Sequence, residues 1–186
     1  MKVVVLISGK KGSGKTTTAN ALGSEYQKFA FADRLKEIVN VMCGFDCNNY
    51  NVPKDSKVYD TGLSYGQMLQ IMGDGIRKNL GQDFFVNNVI NQIEQCDSDY
   101  IVIHDLRYKN ELEKMLETDH RIISVRLFGR SSDDSRNSDH SSECDLDHYE
   151  GKWDLCINTS MFSVDEVVAF ILNFVKYGTI KVVPRI

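Results

Sequence analysis

Residues 3–16 read Val3-Val4-Val5-Leu6-Ile7-Ser8-Gly9-Lys10-Lys11-Gly12-Ser13-Gly14-Lys15-Thr16, and the order of their chemistry decides the fold. The first five are apolar and mostly β-branched without polar alternation, the pattern of a strand covered on both faces of a parallel sheet. Gly9 to Thr16 then fit G-x-x-x-x-G-K-[ST]. The glycines let the backbone bend until successive N–H groups point at one spot, and the N-terminus of the next helix adds its partial positive charge there. Gly9, Lys11, Gly12, Ser13, Gly14, Lys15, Thr16 and Thr17 are therefore the expected contacts of a nucleotide's phosphates. Lys15 is placed to reach the β/γ-phosphates, and Thr16 offers a hydroxyl to Mg²⁺, which keeps several waters and is held with the help of substrate phosphates. ATP with Mg²⁺ is the implied ligand pair. A dinucleotide-binding turn would need G-x-G-x-x-G with an acid about 20 residues on, and the Lys-Thr ending disfavours it.

Outward from this turn the chain alternates. A helix is predicted over Thr16 to Tyr26, a short strand at Phe29-Ala30-Phe31, and a helix near Asp33 to Met42. Residues 44–63 show little periodicity and read as an irregular, mobile substrate-side excursion. Met68, Leu69, Met72, Ile76 and Leu80 recur at helical spacing behind the N-cap candidate Ser64, and a second helix follows from Phe84 to Ile93. Tyr100 to Ile103, Ile122 to Leu127 and Trp153 to Ile157 are further strands, with helices at Asn110 to Leu116 and from Val164 to near Gly178. Five strands alternating with helices imply an α/β domain with a doubly wound parallel sheet, because parallel strands need crossover connections.

Size and composition agree with one such domain over residues 1–186, with no internal repeat or linker. Lys and Arg number 22 against 26 Asp and Glu, a formal charge of -4, so a long nucleic-acid partner is not expected. No run approaches the ~20 apolar residues of a membrane span, and no cleavage site follows Met1 to Ser8, so a cytoplasmic protein without membrane contact is the expectation. The cysteines are five, Cys43, Cys47, Cys96, Cys144 and Cys156, with no CxxC pair, which favours reduced thiols. His140, Cys144, His148 and Cys156 have spacings that fit no usual structural zinc site. Asn158-Thr159-Ser160 matches a glycosylation acceptor, without consequence in the absence of a secretory signal.

Four further segments bring out a likeness: Phe31-Ala32-Asp33-Arg34-Leu35-Lys36; Leu69-Gln70-Ile71-Met72-Gly73 with Arg77 and Asp83; His104-Asp105-Leu106-Arg107 with Glu111; and Asp139-His140-Ser141-Ser142-Glu143. With the P-loop, in this order and spacing, the chain resembles the deoxynucleoside monophosphate kinases of phages and large DNA viruses, a branch of the nucleoside monophosphate kinase fold. The likeness runs across nearly the whole chain. It implies an acceptor-binding region at about residues 33–95 and a lid at about 129–149. Thr16 stands where many relatives have Asp, and Phe84 where many have Trp.

Asp105 falls at the C-terminal end of a main strand beside the P-loop, where a carboxylate can hold a Mg²⁺ shell through water; a strand-end cap is the structural alternative. The resemblance implies that Arg107 contacts the acceptor, and an ion pair with Glu111 is its rival. Gln70 and Arg77 lie seven residues, or two turns, apart and share a helix face. By resemblance Gln70 recognises the acceptor base and Arg77 its monophosphate, for which a planar guanidinium is well shaped. Asp33 and Lys36 follow the second strand at the ligand-bearing edge, Asp33 being equally suited to cap a helix.

The Ser/Asp/Arg-rich stretch from Gly129 to Asp147 has hardly any aliphatic residue and reads as the lid. Arg130 and Arg136 are the expected catalytic arginines, with Lys15 and Asp105, neutralising charge on the transferring group and excluding water. Arg130 also counts among the ATP contacts, and His140 and Glu143 match the family's lid motif on the acceptor side. The implied reaction is ATP + dNMP to ADP + dNDP. It needs positioning and charge stabilisation rather than a strong base, and no covalent protein intermediate. Two alternatives differ in substrate. Ser142-Glu143-Cys144 to Asp147 also resembles animal phosphomevalonate kinases, whereas a GTP-dependent switch would need an Asn-Lys-x-Asp sequence that this chain lacks. Small nucleotides are the expected partners, and the sequence leaves a homodimer open.

Overall fold

The computed structural model describes residues 1–129, 145–147, 149 and 151–178, the side chain of Asp60 aside. Five strands are laid down in chain order: β1 (Val3–Ser8), β2 (Tyr26–Phe29), β3 (Tyr100–Leu106), β4 (Arg121–Phe128) and β5 (Leu155–Asn158). The helices between and after them are α1 (Lys15–Ala21), α2 (Asp33–Met42), α3 (Tyr65–Leu80), α4 (Phe84–Gln95), α5 (Lys109–Leu116) and α6 (Val164–Tyr177). The strands form one sheet in the order β2-β3-β1-β4-β5, and all four pairings are parallel.

The apolar run that opens the chain takes the middle of the sheet, where both faces are covered. Val4 and Leu6 face one side with Ile101 and Ile103, under Leu35 and Val39 of α2, Val86, Val89 and Ile93 of α4, and Leu112 and Met115 of α5. Val5 and Ile7 face the other, with Val102, Val125 and Leu127 against Ala19 of α1 and Val167, Ile171 and Val175 of α6. Each such side chain contributes about 1.5–3 kcal/mol on burial. Two layers of helices thus clamp a sheet whose C-terminal edges all point the same way, and the β1–α1 turn leaves from the centre of that edge.

Local signals set the helix limits. Ser64 Oγ accepts the Gln67 N–H while Gln67 Oε1 accepts that of Ser64, a capping box that starts α3. Ser163 and Glu166 start α6 in the same manner, and Gly178 ends it in the left-handed conformation.

Three expectations are corrected. The second strand lies at Tyr26–Phe29, ahead of Ala30 and Phe31, whose N–H groups are drawn out of the ladder by the carboxylates of Asp33 (2.9 Å) and Asp105 (2.8 Å). The first helix stops at Ala21, since Gly23 with φ +108° turns the chain back toward β2. The last strand begins at Leu155, because Asp154 Oδ2 accepts both the backbone N–H and the hydroxyl of Ser124, at 2.8 Å each.

The irregular stretch 44–63 is anchored to the core by the buried Val52 and Val58. Asn40, fully buried on α2, stitches it further by donating its amide to the carbonyls of Asp46 (3.1 Å) and Asn49 (2.9 Å). Leu146 also enters the core, although its neighbourhood in the sequence promises none.

Candidate active site

The turn from Gly9 to Lys15 is held open by its own backbone. Gly9, Gly12 and Gly14 have φ of +154°, +83° and +92°, values that side chains rarely adopt. A Cβ on Gly9 would also lie 2.5 Å from the Leu127 carbonyl oxygen, so the turn passes against β4 with no room to spare. Lys15, only 9% exposed, donates from Nζ to the carbonyls of Gly9 (2.5 Å) and Lys10 (2.8 Å), which keeps the ammonium within the curve of the turn.

Ser13 Oγ is buried without a hydrogen-bond partner among the described residues. Such a hydroxyl has its donor and lone pairs left for a ligand or a water. The α1 N-terminus, the Lys15 ammonium and this hydroxyl therefore form a set of donors that fits a polyphosphate. Thr16 and Thr17 are exposed at the start of α1, and Thr16 faces the neighbouring cleft.

That cleft, of about 770 Å³, follows the edge strand β2, from Thr16, Asp33 and His104 at the C-terminal edge of the sheet down to Gln95 and Cys96 at the end of α4, with Lys36, Glu37, Tyr50 and Asn51 also on its wall. Asp33 accepts the Ala30 N–H and lies 3.8 Å from the Lys36 ammonium. Burial, and then the nearby Asp105 carboxylate, push its pKa above the ordinary carboxylate range. Tyr50 donates to Glu37 Oε1 at 2.6 Å, which pins the irregular stretch to α2 across the cleft.

Asp105 acts as the hub between this cleft and the next group. Its Oδ1 accepts the Phe31 N–H at 2.8 Å and its Oδ2 the Ala32 N–H at 3.0 Å, so it fixes the entry to α2. The strand-end cap is thus formed, and both oxygens keep lone pairs for a second partner.

Gln70, Arg77 and Arg107 lie outside the lining of the cleft. Arg77 is held between rings, its guanidinium 4.1 Å from the Tyr108 centroid and 4.8 Å from that of Phe85. Its Nη2 stands 3.7 Å from Glu111 Oε1. Glu111, 3% exposed, accepts the N–H groups of Arg107 and Tyr108 on Oε2, at 3.0 Å each. Burial raises its pKa from 4.5 to about 7, with the Asp105 charge adding to the rise and the two N–H donors and Arg77 opposing it. In place of the surface Arg107–Glu111 ion pair expected as the alternative, the buried Glu111 takes the Arg107 backbone N–H, and the guanidinium 3.7 Å from its carboxylate is that of Arg77. Gln70 is half-buried on α3.

Arg130, Arg136, His140 and Glu143 lie outside the described residues. The chain that follows them returns through three consecutive anchors. Asp145 accepts the Lys109 N–H at the start of α5 (2.6 Å), Leu146 is buried, and Asp147 contacts both Lys10 (2.8 Å) and Arg126 (2.7 Å). Arg126 also donates to Ser8 Oγ at 2.8 Å, directly before the turn.

Sequence reasoning missed Arg126, Asp147 and Thr159. Thr159 Oγ1 donates toward the carbonyls of Ser13 (3.1 Å) and Phe128 (3.0 Å), tying the phosphate-binding turn to the ends of β4 and β5. A signal for it existed, a polar Asn-Thr-Ser triplet directly after a strand on the ligand-bearing edge.

Sheet order, parallel register and the Gly9–Thr16 turn together define an α/β P-loop kinase fold. Shikimate kinase from Aquifex aeolicus superposes with a TM-score of 0.52 at 15% identity, over 94% of this chain and 97% of that one. In sequence the chain is 26% identical over 174 residues to the "Putative deoxynucleotide monophosphate kinase" of Acanthamoeba polyphaga mimivirus, covering 77% of this chain and 82% of that protein. No family model matches the chain. Among the described residues, no helix is long and apolar enough to cross a membrane.

Proposed function

We propose that this protein transfers the γ-phosphoryl group of ATP to a deoxynucleoside monophosphate, giving ADP and the deoxynucleoside diphosphate. The observation that carries the reading is the adjacency of a phosphate-binding turn, with its buried Lys15 and orphan Ser13 hydroxyl, to a separate cleft lined by Thr16, Asp33 and Lys36. Donor and acceptor would then meet at the end of the cleft that Thr16 shares with the turn. The likeness to the mimivirus protein supports a nucleotide as the acceptor.

In this reading Lys15 and the N–H groups at the head of α1 bind the β- and γ-phosphates, so that charge developing on the transferring group meets fixed donors. Thr16 would hold Mg²⁺ with the phosphates and waters, and Asp105 would accept from a water of that shell; the ion, when bound, supplies further neutralisation of the phosphate oxygens. Arg77 and Arg107, which lie outside the lining of that cleft, would reach the acceptor phosphate from α3 and from the loop between β3 and α5, and Arg130 and Arg136 would close over the reacting centre. Gln70 reads the base, while Asp33 and Lys36 bind the acceptor from α2, with His140 and Glu143 approaching from the lid. A phosphate oxygen of the acceptor attacks the γ-phosphorus in line, the bond to the ADP oxygen breaks, and no side chain is covalently modified.

An ADP-formation screen over dTMP, dGMP, dCMP, dAMP, the four ribonucleotides and phosphomevalonate tests this. Acceptor-dependent ADP with at least one deoxynucleotide is expected. Turnover with phosphomevalonate alone, or slow hydrolysis indifferent to any acceptor, would refute it.

A further inference from the structure

We propose that Glu111 is a positioning residue for the acceptor phosphate, its single buried carboxylate holding the Arg77 guanidinium and the Arg107 backbone in one clamp. The inference rests on the nucleotide-kinase reading above and names the group that assembles its acceptor side.

Three elements meet at this carboxylate. Oε2 takes the Arg107 and Tyr108 N–H groups at 3.0 Å each, which fixes the loop between β3 and α5 and thereby the direction in which Arg107 leaves the backbone. Oε1 faces Nη2 of Arg77, which arrives from α3 at 3.7 Å. Tyr108, whose N–H is held by Glu111, lays its ring against the same guanidinium at 4.1 Å. One side chain therefore sets the backbone of one arginine, the head of the other, and the backbone of the tyrosine whose ring lies against that head.

A helix cap alone would not need this arrangement. The two N–H bonds to Oε2 complete the start of α5, yet a carboxylate 3% exposed carries a desolvation cost that a neutral Gln or a Ser cap would avoid. What the charge adds is the Arg77 contact. Arg77 itself is only 15% exposed and stacked between two rings, so its guanidinium is already ordered before any anion arrives. An arginine held rigid by a carboxylate behind it binds an anion in front with little further loss of rotamer freedom.

Glu111→Gln separates the two roles. The amide oxygen can still accept the Arg107 and Tyr108 N–H groups, but its NH₂ then faces the Arg77 donors. Steady-state kinetics are run with dTMP, dGMP, dCMP and dAMP against saturating ATP, after thermal unfolding has shown which variants fold. The expected result is an acceptor KM raised about ten-fold, with the ATP KM within about two-fold of wild type. In an Arg77→Ala background the same substitution should add less than about two-fold, because the two residues act as a unit. Glu111→Asp, which keeps the charge one methylene short, should fall between wild type and Gln, and it carries the test should the Gln variant fail to fold.

The inference is overturned if Glu111→Gln lowers the melting temperature yet leaves the acceptor KM unchanged. It is equally overturned if the KM values for ATP and acceptor rise together, or if the losses multiply in the Arg77→Ala background. Wild-type enzyme that makes no acceptor-dependent ADP from any deoxynucleotide would show instead that the substrate reading has failed, and the inference falls with it.

Discussion

Lys15 and Glu111 show how much chemistry a single buried charge carries in this site. The Lys15 ammonium sits among the Gly9 and Lys10 carbonyls, so Lys15→Ala removes two hydrogen bonds from the loop as well as the cation proposed to bind the phosphates. Turnover should fall by about 10²–10³-fold, the scale of losing a fixed electrostatic donor, while circular dichroism stays native. Wild-type turnover in a folded Lys15→Ala protein would remove the basis for phosphoryl transfer. Glu111 gives a prediction in pH rather than rate. Its folded-state pKa of about 7 lies above the ordinary 4.5, so the folded protein binds the proton more tightly than the unfolded chain. Its contribution is fully present below 4.5 and is lost as pH rises through about 7. Relative to Glu111→Gln, the wild type should therefore lose stability across that window, by up to roughly 3 kcal/mol. Chemical denaturation of both proteins at pH 5 and pH 8 measures it, and parallel pH profiles would contradict the assignment.

At the level of elements, the phosphate-binding turn depends on a clasp from β5. The Thr159 hydroxyl reaches the carbonyls of Ser13 and Phe128, so Thr159→Val keeps the shape and deletes only the link. The expected cost is about 1–2 kcal/mol of stability together with a several-fold weaker affinity for a non-hydrolysable ATP analogue; calorimetry showing unchanged affinity would make the clasp purely structural. This clasp also marks where the sequence stops being legible. The β1 run, the Gly9–Thr16 turn and the Ser64 cap each act on neighbours within a few residues, so their elements follow from local pattern. Ser163 and Gly178 bound α6 by the same local logic. Thr159, Arg126 and Asp147 meet the turn only after three strands have been paired in register, and no local spacing encodes such a meeting. For the same reason β2 was misplaced. Phe29-Ala30-Phe31 has strand character, but Asp105, 74 residues from Phe31, removes the backbone donor that pairing would need. Arg77 and Arg107 are readable as types, whereas which of them faces Glu111 is not.

Over the whole molecule, the sheet separates two helical layers, and the site must be built where both can reach one edge. The side of the sheet under α2, α4 and α5 carries the cleft beside β2 and the Arg77–Glu111 group, whereas α1 and α6 back the Gly9–Thr16 turn from the other face. The turn at residues 145–147 touches both parts, with Asp145 on the head of α5 and Asp147 on Lys10 and Arg126. The proposed lid precedes this turn in the sequence, so any coupling between donor and acceptor binding is expected to depend on Asp147. Asp147→Asn weakens the link without emptying it. Its carboxylate is partly solvated, so the loss of stability should stay within about 1 kcal/mol. Coupling is the more sensitive quantity: affinity for a deoxynucleotide, titrated with and without a non-hydrolysable ATP analogue, should differ several-fold in the wild type and less in the variant. The comparison requires no turnover, so it remains informative when chemistry is slow. An equal coupling factor in both proteins would mean that the two phosphates communicate directly across the cleft, with Asp147 serving only to fasten the chain.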